Sequence, residues 1–250
     1  MQPPVILSRP GGHEMIANRV EAARYAVQRR IAPAIRHDMV GNLNPLGMLC
    51  ELMHRRLFSE AVDLKSILEN VEKIKNLSSA SIRSCCELMT WLEPAPEAVC
   101  RLAEGIEECI EILRPEFCVR AVVIDFEAPR TDLCIARSAL RAVLPAALMA
   151  VADSAARPVD IVLHTASTKT HVTLTLITRA TNRVAILEHV RIYREIMWQD
   201  VEALAIAESV EVTYQENCST LRFLVSEEEI EADTVSRRYG TPPGLPTPRA

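Results

Sequence analysis

Glycine is scarce in this 250-residue chain, with seven in all: Gly11, Gly12, Gly41, Gly47, Gly105, Gly240 and Gly244. None lies between Gly105 and Gly240. A loop that cradles phosphate needs positive φ and close backbone approach, so that stretch carries no glycine loop. The eight cysteines include no C-x-x-C pair, which argues against a zinc site. They read as small, reduced core residues. No long apolar run is present. The longest, residues 139–156, contains Arg141, Pro145 and Asp153, and a central charge costs a membrane helix about 2.5–3.5 kcal/mol. It reads as a buried helix, and no membrane span is expected. Basic excess is also lacking: the net charge is −5, which argues against a nucleic-acid backbone as main partner. Residues 1–12 carry Pro3, Pro4 and Pro10 and no signal-type apolar core, so a cytoplasmic location is expected.

What is present is long helical periodicity. Residues 14–57 repeat apolar side chains at three and four: Val20, Ala23, Val27, Ile31, Ile35, then Leu43, Leu46, Leu49, Met53 and Leu57. At about 1.5 Å per residue such a helix is on the order of 65 Å long, a length typical of bundles. Asp63 is a cap for a second helix that runs to Leu92, where Pro94 and Pro96 end it. Its spacing is near heptad, through Ile67, Val71, Ile74, Ser78, Ser81, Cys85, Leu88 and Leu92. The two helices form an antiparallel hairpin whose apolar stripe needs a second copy, which predicts a homodimeric four-helix bundle.

Beyond Pro96 the texture becomes mixed. The pattern predicts a helix over 97–113, a strand over 120–126 and a helix over 137–155. Strands follow over 159–165 and 171–178, then a mainly helical 184–207, then a hairpin of 210–214 with 220–225. The fold class is α+β: the helical hairpin, then an α/β sandwich with a mostly antiparallel sheet and helices on one face. The expected division is a flexible 1–13, a hairpin domain over 14–93, the α/β domain over 97–226, and an acidic then proline-rich flexible tail over 227–250.

One segment carries chemistry. Arg36-His37-Asp38-Met39-Val40-Gly41-Asn42-Leu43-Asn44-Pro45-Leu46 puts a histidine in a polar island of the first helix. Gly41 lies one turn on, on the same face. A helical glycine costs roughly 0.8–1 kcal/mol relative to alanine, and Pro45 costs more because it deletes a backbone hydrogen bond. Two breakers beside one histidine call for a functional reason: Gly41 clears room for a docking partner and Pro45 bends the helix to present the ring. A neutral imidazole is a competent nucleophile towards phosphorus. Asp38 can take the departing proton, and Asn42 can hold a water. Counting back from the turn places His37 opposite Arg83, near the small polar patch Ser78-Ser79-Ala80-Ser81, which lets a globular partner approach. Arg36, Gly41, Ser78, Ser81 and Arg83 are therefore the docking candidates. His13, His54, His164, His171 and His189 lack such company.

Over residues 15–226 the chain resembles bacterial two-component histidine kinases. The run from His37 to Leu46 is similar to their phosphoacceptor box, and His-Asp-x-x-Gly is similar to the box of the subfamily that pairs with nitrate-response regulators. That subfamily has glutamine where Asn42 stands, and Pro45 lies further from the histidine than in the commonest pattern. Leu92-Glu93-Pro94 and Ile112-Leu113-Arg114-Pro115-Glu116 are similar to the transition into the kinase ATP-binding domain, and Ala139-Leu140-Arg141-Ala142-Val143-Leu144 to the start of its asparagine-bearing helix. The departures lie in that domain. Ala146 and Ala150 stand where the resemblance implies a magnesium-binding asparagine. Thr178-Arg179-Ala180-Thr181-Asn182-Arg183 replaces an Asp-x-Gly-x-Gly loop, and Trp198-Gln199-Asp200-Val201-Glu202-Ala203-Leu204 replaces a later Gly-x-Gly loop. Phosphoryl transfer from ATP depends on such positioning groups.

The whole resembles dimeric histidine phosphotransferases, kinase-like proteins with a degenerate ATP-binding domain. The resemblance implies phosphoryl transfer between receiver-domain aspartates of response regulators through His37, assisted by Asp38. It also implies no cofactor, no ATP binding, and Mg²⁺ supplied by the partner receiver. Two alternatives stand beside it: a response-regulator phosphatase using Asn42, and a non-catalytic pseudokinase that acts by binding a kinase or regulator.

Overall fold

The computed structural model describes residues 11–58, 63–92, 98–129, 131–155, 158–183 and 193–226, without the side chains of residues 11–14, 38, 42, 84, 87, 88 and 92. Of the expected flexible segments over 1–13 and 227–250, residues 1–10 and 227–250 lie outside the described residues, as do the turn over 59–62 and the link over 93–97.

Helix α1 spans Gly11–Leu57, beginning earlier than the expected Glu14 and running through both Pro33 and Pro45. Helix α2 spans Leu64–Leu92. Asp63 caps it as its sequence suggests: the carboxylate accepts from the backbone N–H of Lys65 at 3.1 Å and of Ser66 at 3.2 Å. The two helices pack together, and the Arg56 guanidinium meets the Ser66 hydroxyl near the turn.

The α/β region contains strand β1 (Val99–Arg101), helix α3 (Leu102–Val119), β2 (Val123–Phe126), β3 (Cys134–Ala136), α4 (Arg137–Ser154), β4 (Val159–Ser167), β5 (His171–Ala180), α5 (Trp198–Ala207), β6 (Glu211–Gln215) and β7 (Cys218–Ser226). The sheet order is β1-β3-β7-β5-β4-β2, with β6 on the free half of β7. Among the described strands only β2–β4 is parallel, so the expected mostly antiparallel sheet is present. Burial alternates along β4 and β5, with one face packed against helices and the other open.

Three sequence expectations are corrected. The helix expected over 97–113 is instead β1 followed by α3, which continues through Pro115 because Leu113 and Phe117, one turn apart, are both buried. The part of 184–207 that is described is helical only from Trp198. Of the cysteines expected in the core, Cys100 and Cys109 are buried, whereas Cys50, Cys118 and Cys218 are exposed.

The core explains the layering. Leu140, Val143, Leu144, Ala147 and Leu148 of α4 share one buried core with Ile161, Leu174, Leu221 and Phe223 of the sheet. Helix α1 forms an outer layer on α3, α4 and α5. Val20, Ala23, Val27 and Ile31 are buried in that contact. The first half of the stripe expected to face a bundle thus faces the chain's own α/β region.

Candidate functional site

The footprint of the α/β region on α1 ends just short of the candidate histidine. Ala34 is buried and Ile35 packs against the core, while Arg36 and His37 are exposed. Val40 and Gly41 are exposed in the next turn. A Cβ built on Gly41 meets nothing within 4 Å, so among the described residues no contact requires glycine there. The Asp38 and Asn42 side chains lie outside those described.

Across the hairpin, Ile31 of α1 and Trp91 of α2 line the same small cavity, and Arg56 meets Ser66 nearer the turn. Equal steps along the antiparallel arms from either pair put His37 level with Cys85, half a turn from Arg83. Arg83 is exposed and Ser78 half-buried, but Ser81 is buried and its hydroxyl donates to the Leu77 carbonyl at 2.8 Å. The open patch expected from the serines is therefore narrower: Ser81 faces the packed side of α2. His54, the other histidine on α1 with a described side chain, is exposed and packs its ring on Phe58 at 4.8 Å.

Two turns before His37 lies a cluster that the periodicity conceals. Arg30 points from α1 into the α/β region, with 4% of its side chain exposed. Its guanidinium donates to the carboxylates of Glu116 on α3 and Asp153 on α4. Arg120 donates to Asp153 at 2.7 Å and to Glu116 at 3.2 Å, and the Ile196 backbone N–H donates to Asp153 at 2.8 Å. Burial works against the charge on Asp153, but the Arg30 hydrogen bond and charge, the Ile196 N–H and Arg120 outweigh it and hold its pKa below the ordinary carboxylate value. Burial likewise disfavours the Arg30 cation, and Glu116 and Asp153 reverse that and raise its pKa. The available sequence signal was a charge on a buried face, one turn from both Val27 and Ala34. Its partners are too distant in sequence for spacing to reveal them.

The positions singled out by their departure from the kinase pattern take ordinary structural roles. Ala146 and Ala150 are fully enclosed in the core of α4. Residues 178–180 extend β5, and the Thr181 N–H donates to the Pro158 carbonyl at 3.1 Å. Residues 198–204 are in α5, where the buried Asp200 accepts from the Met197 N–H at 3.0 Å and pairs with Arg194 at 3.0 Å.

The chain is similar to solved histidine kinases. A histidine kinase from Burkholderia phymatum is 17% identical, with a TM-score of 0.40, over 85% of this chain and 97% of that one. AdeS of Acinetobacter baumannii is 14% identical, with a TM-score of 0.38, over 77% of this chain and 98% of that one. ThkA in complex with the response regulator TrrA is 14% identical, with a TM-score of 0.38, over 88% of this chain and 67% of that one. At these values the likeness carries no argument about activity. No protein-family model and no curated protein matches the chain.

The expectation of no cofactor and no ATP binding, with Mg²⁺ left to the partner, is corrected by the same comparison. Similar structures include catalytic domains of the histidine kinase ThkA in nucleotide-free forms. Among the described residues, no cluster of His, Cys, Asp or Glu is suited to a metal ion, and no helix is long and apolar enough to cross a membrane.

Proposed function

We propose that this chain is a histidine phosphotransferase of a two-component phosphorelay, with His37 as the carrier between receiver-domain aspartates. The observation that carries the reading is the position of His37: exposed on α1, one turn before an unobstructed glycine, immediately beyond the edge of the α/β region. That exposure supports the approach of a globular partner from the side away from the α/β region.

The chemistry follows from that access. An imidazole nitrogen attacks phosphorus of the receiver's aspartyl phosphate. The new N–P bond forms as the P–O bond to the aspartate breaks, and the aspartate leaves as a carboxylate. The proton on the other ring nitrogen passes to Asp38 or water. Transfer to a second receiver reverses these steps. In this reading Arg36, Gly41, Ser78 and Arg83 border the docking area. The hairpin domain over 14–93 also pairs with a second copy as a four-helix bundle. The exposed Val40, Leu43, Met48 and Leu52 of α1, with Leu68 and Val71 of α2, support that pairing because they leave apolar surface uncovered.

The test uses a receiver domain carrying a labelled aspartyl phosphate. Mixed with the wild-type chain, it should lose label as acid-labile label appears on the chain, and a second receiver should then collect it. His37→Ala should acquire none. Label on the mutant would sink the assignment. Loss of receiver label with none on the wild-type chain would point to the phosphatase reading instead.

A further inference from the structure

Two arginines, each more than nine-tenths buried, cross the boundary between the hairpin and the α/β region in opposite directions. Arg30 leaves α1 and meets Glu116 and Asp153 on α3 and α4. Arg141 leaves α4, donates to the Thr90 hydroxyl on α2 at 2.8 Å and pairs with Glu108 of α3. Its guanidinium also lies over the Trp91 ring, 4.6 Å from the centroid. Each arm of the hairpin is thus held by its own buried cation. At the rim, Arg24 adds a 2.8 Å pair with Glu208.

We propose that these two arginines are opposed clamps that hold the α/β region as a fixed body on the hairpin, setting its edge beside His37. Neither clamp can open by a small step. A partial separation would strand desolvated charges before water reached them, which is strongly unfavourable. Direction matters as well. Sliding along α1 is opposed by the fork of Arg30, which engages two carboxylates on different helices. Swinging away from α2 is opposed by Arg141, which must leave both a hydroxyl and an aromatic face. The Ile196 N–H on Asp153 extends the clamp to the segment that enters α5. Arg30 and Arg141 act here as positioning residues, whatever reaction His37 performs.

Distance measurement between spin labels tests this directly. Labels on bioorthogonal residues at Lys73 of α2 and Lys169 of the β4–β5 turn, both exposed, report the placement of the sheet on the hairpin. The full chain is diluted with unlabelled protein to suppress distances between copies. One narrow population is expected for the wild type. Arg30→Met and Arg141→Met should each add a second, longer population while helical circular dichroism is retained. If Arg30→Met fails to fold, Arg30→Lys keeps the charge without the fork, and the longer population should still appear. A wild type already divided between populations would overturn the proposal, and so would a folded Arg30 variant that keeps the single narrow distance.

Discussion

Gly41 and Gly105 both lie inside helices, yet they answer to different constraints. A Cβ on Gly105 would stand 2.6 Å from Leu140 Cδ2 and 2.7 Å from Cys100 Sγ. There, glycine lets α3 approach α4 and β1. Overpacking of this kind costs about 1–3 kcal/mol, part of it offset by alanine's better helix propensity of roughly 1 kcal/mol. Gly105→Ala should therefore unfold at lower urea concentration. At Gly41 none of the described residues opposes a methyl group, and Gly41→Ala should gain about 1 kcal/mol. If Gly41 is retained for docking, the stabilised variant should also accept phosphate from a receiver more slowly. Faster or equal transfer would remove that role. The buried thiols obey the same residue-scale logic. Burial raises the pKa of Cys109 well above the ordinary thiol value, and that of Cys100 also rises, so both stay protonated and serve as packing.

At the scale of elements, the clearest local signals were those with chemistry at their ends. Asp63 sits before an apolar heptad and caps α2 with two hydrogen bonds. Asp63→Ala should cost about 1 kcal/mol, while Asp63→Asn should retain most of the stability. Equal losses in thermal unfolding would mean that the carboxylate charge matters more than the cap. Helix α4 and the β4–β5 pair were legible for a similar reason: one is a continuous buried run, and the other two alternate along most of their length. Strands β1 and β3 were not. Each spans three residues and runs directly into a helix, so neither is long enough to establish a period of two. They are fixed from outside, through the antiparallel pairing of Cys100 with Ile135 and of Ile135 with Val225. The candidate site divides in the same way. His37 was visible because helix breakers flank it locally. The Arg30 cluster was hidden because Glu116 and Asp153 reach Arg30 only once the chain has folded.

Across the whole molecule, that cluster ties α1, α3, α4 and the approach to α5 into one charge-compensated group, so acid should loosen all four together. Asp153 is held below its ordinary pKa in the folded state, while an unfolded aspartate titrates near about 3.9. Because the folded value is the lower one, the unfolded chain takes up the proton first as pH falls. The stabilisation from Asp153 is therefore complete above the unfolded value. It declines below it, and is gone once the pH has passed through the folded value. The groups facing Asp153 are Arg30, Arg120 and the Ile196 N–H, with Glu116 bridging the same two arginines. None of these four replaces the Asp153 charge, since the two guanidinium groups would be left to Glu116 alone. Asp153→Asn should lose about 3–5 kcal/mol at neutral pH, the usual result of breaking a buried pair from one side. It should also show a shallower fall in stability between neutral pH and about pH 3 than the wild type, because the titrating group has been removed. Urea unfolding across that range, followed by circular dichroism, separates the two effects. A variant whose acid slope matches the wild type would mean that Asp153 titrates alike in both states and that the cluster is not what acid disrupts.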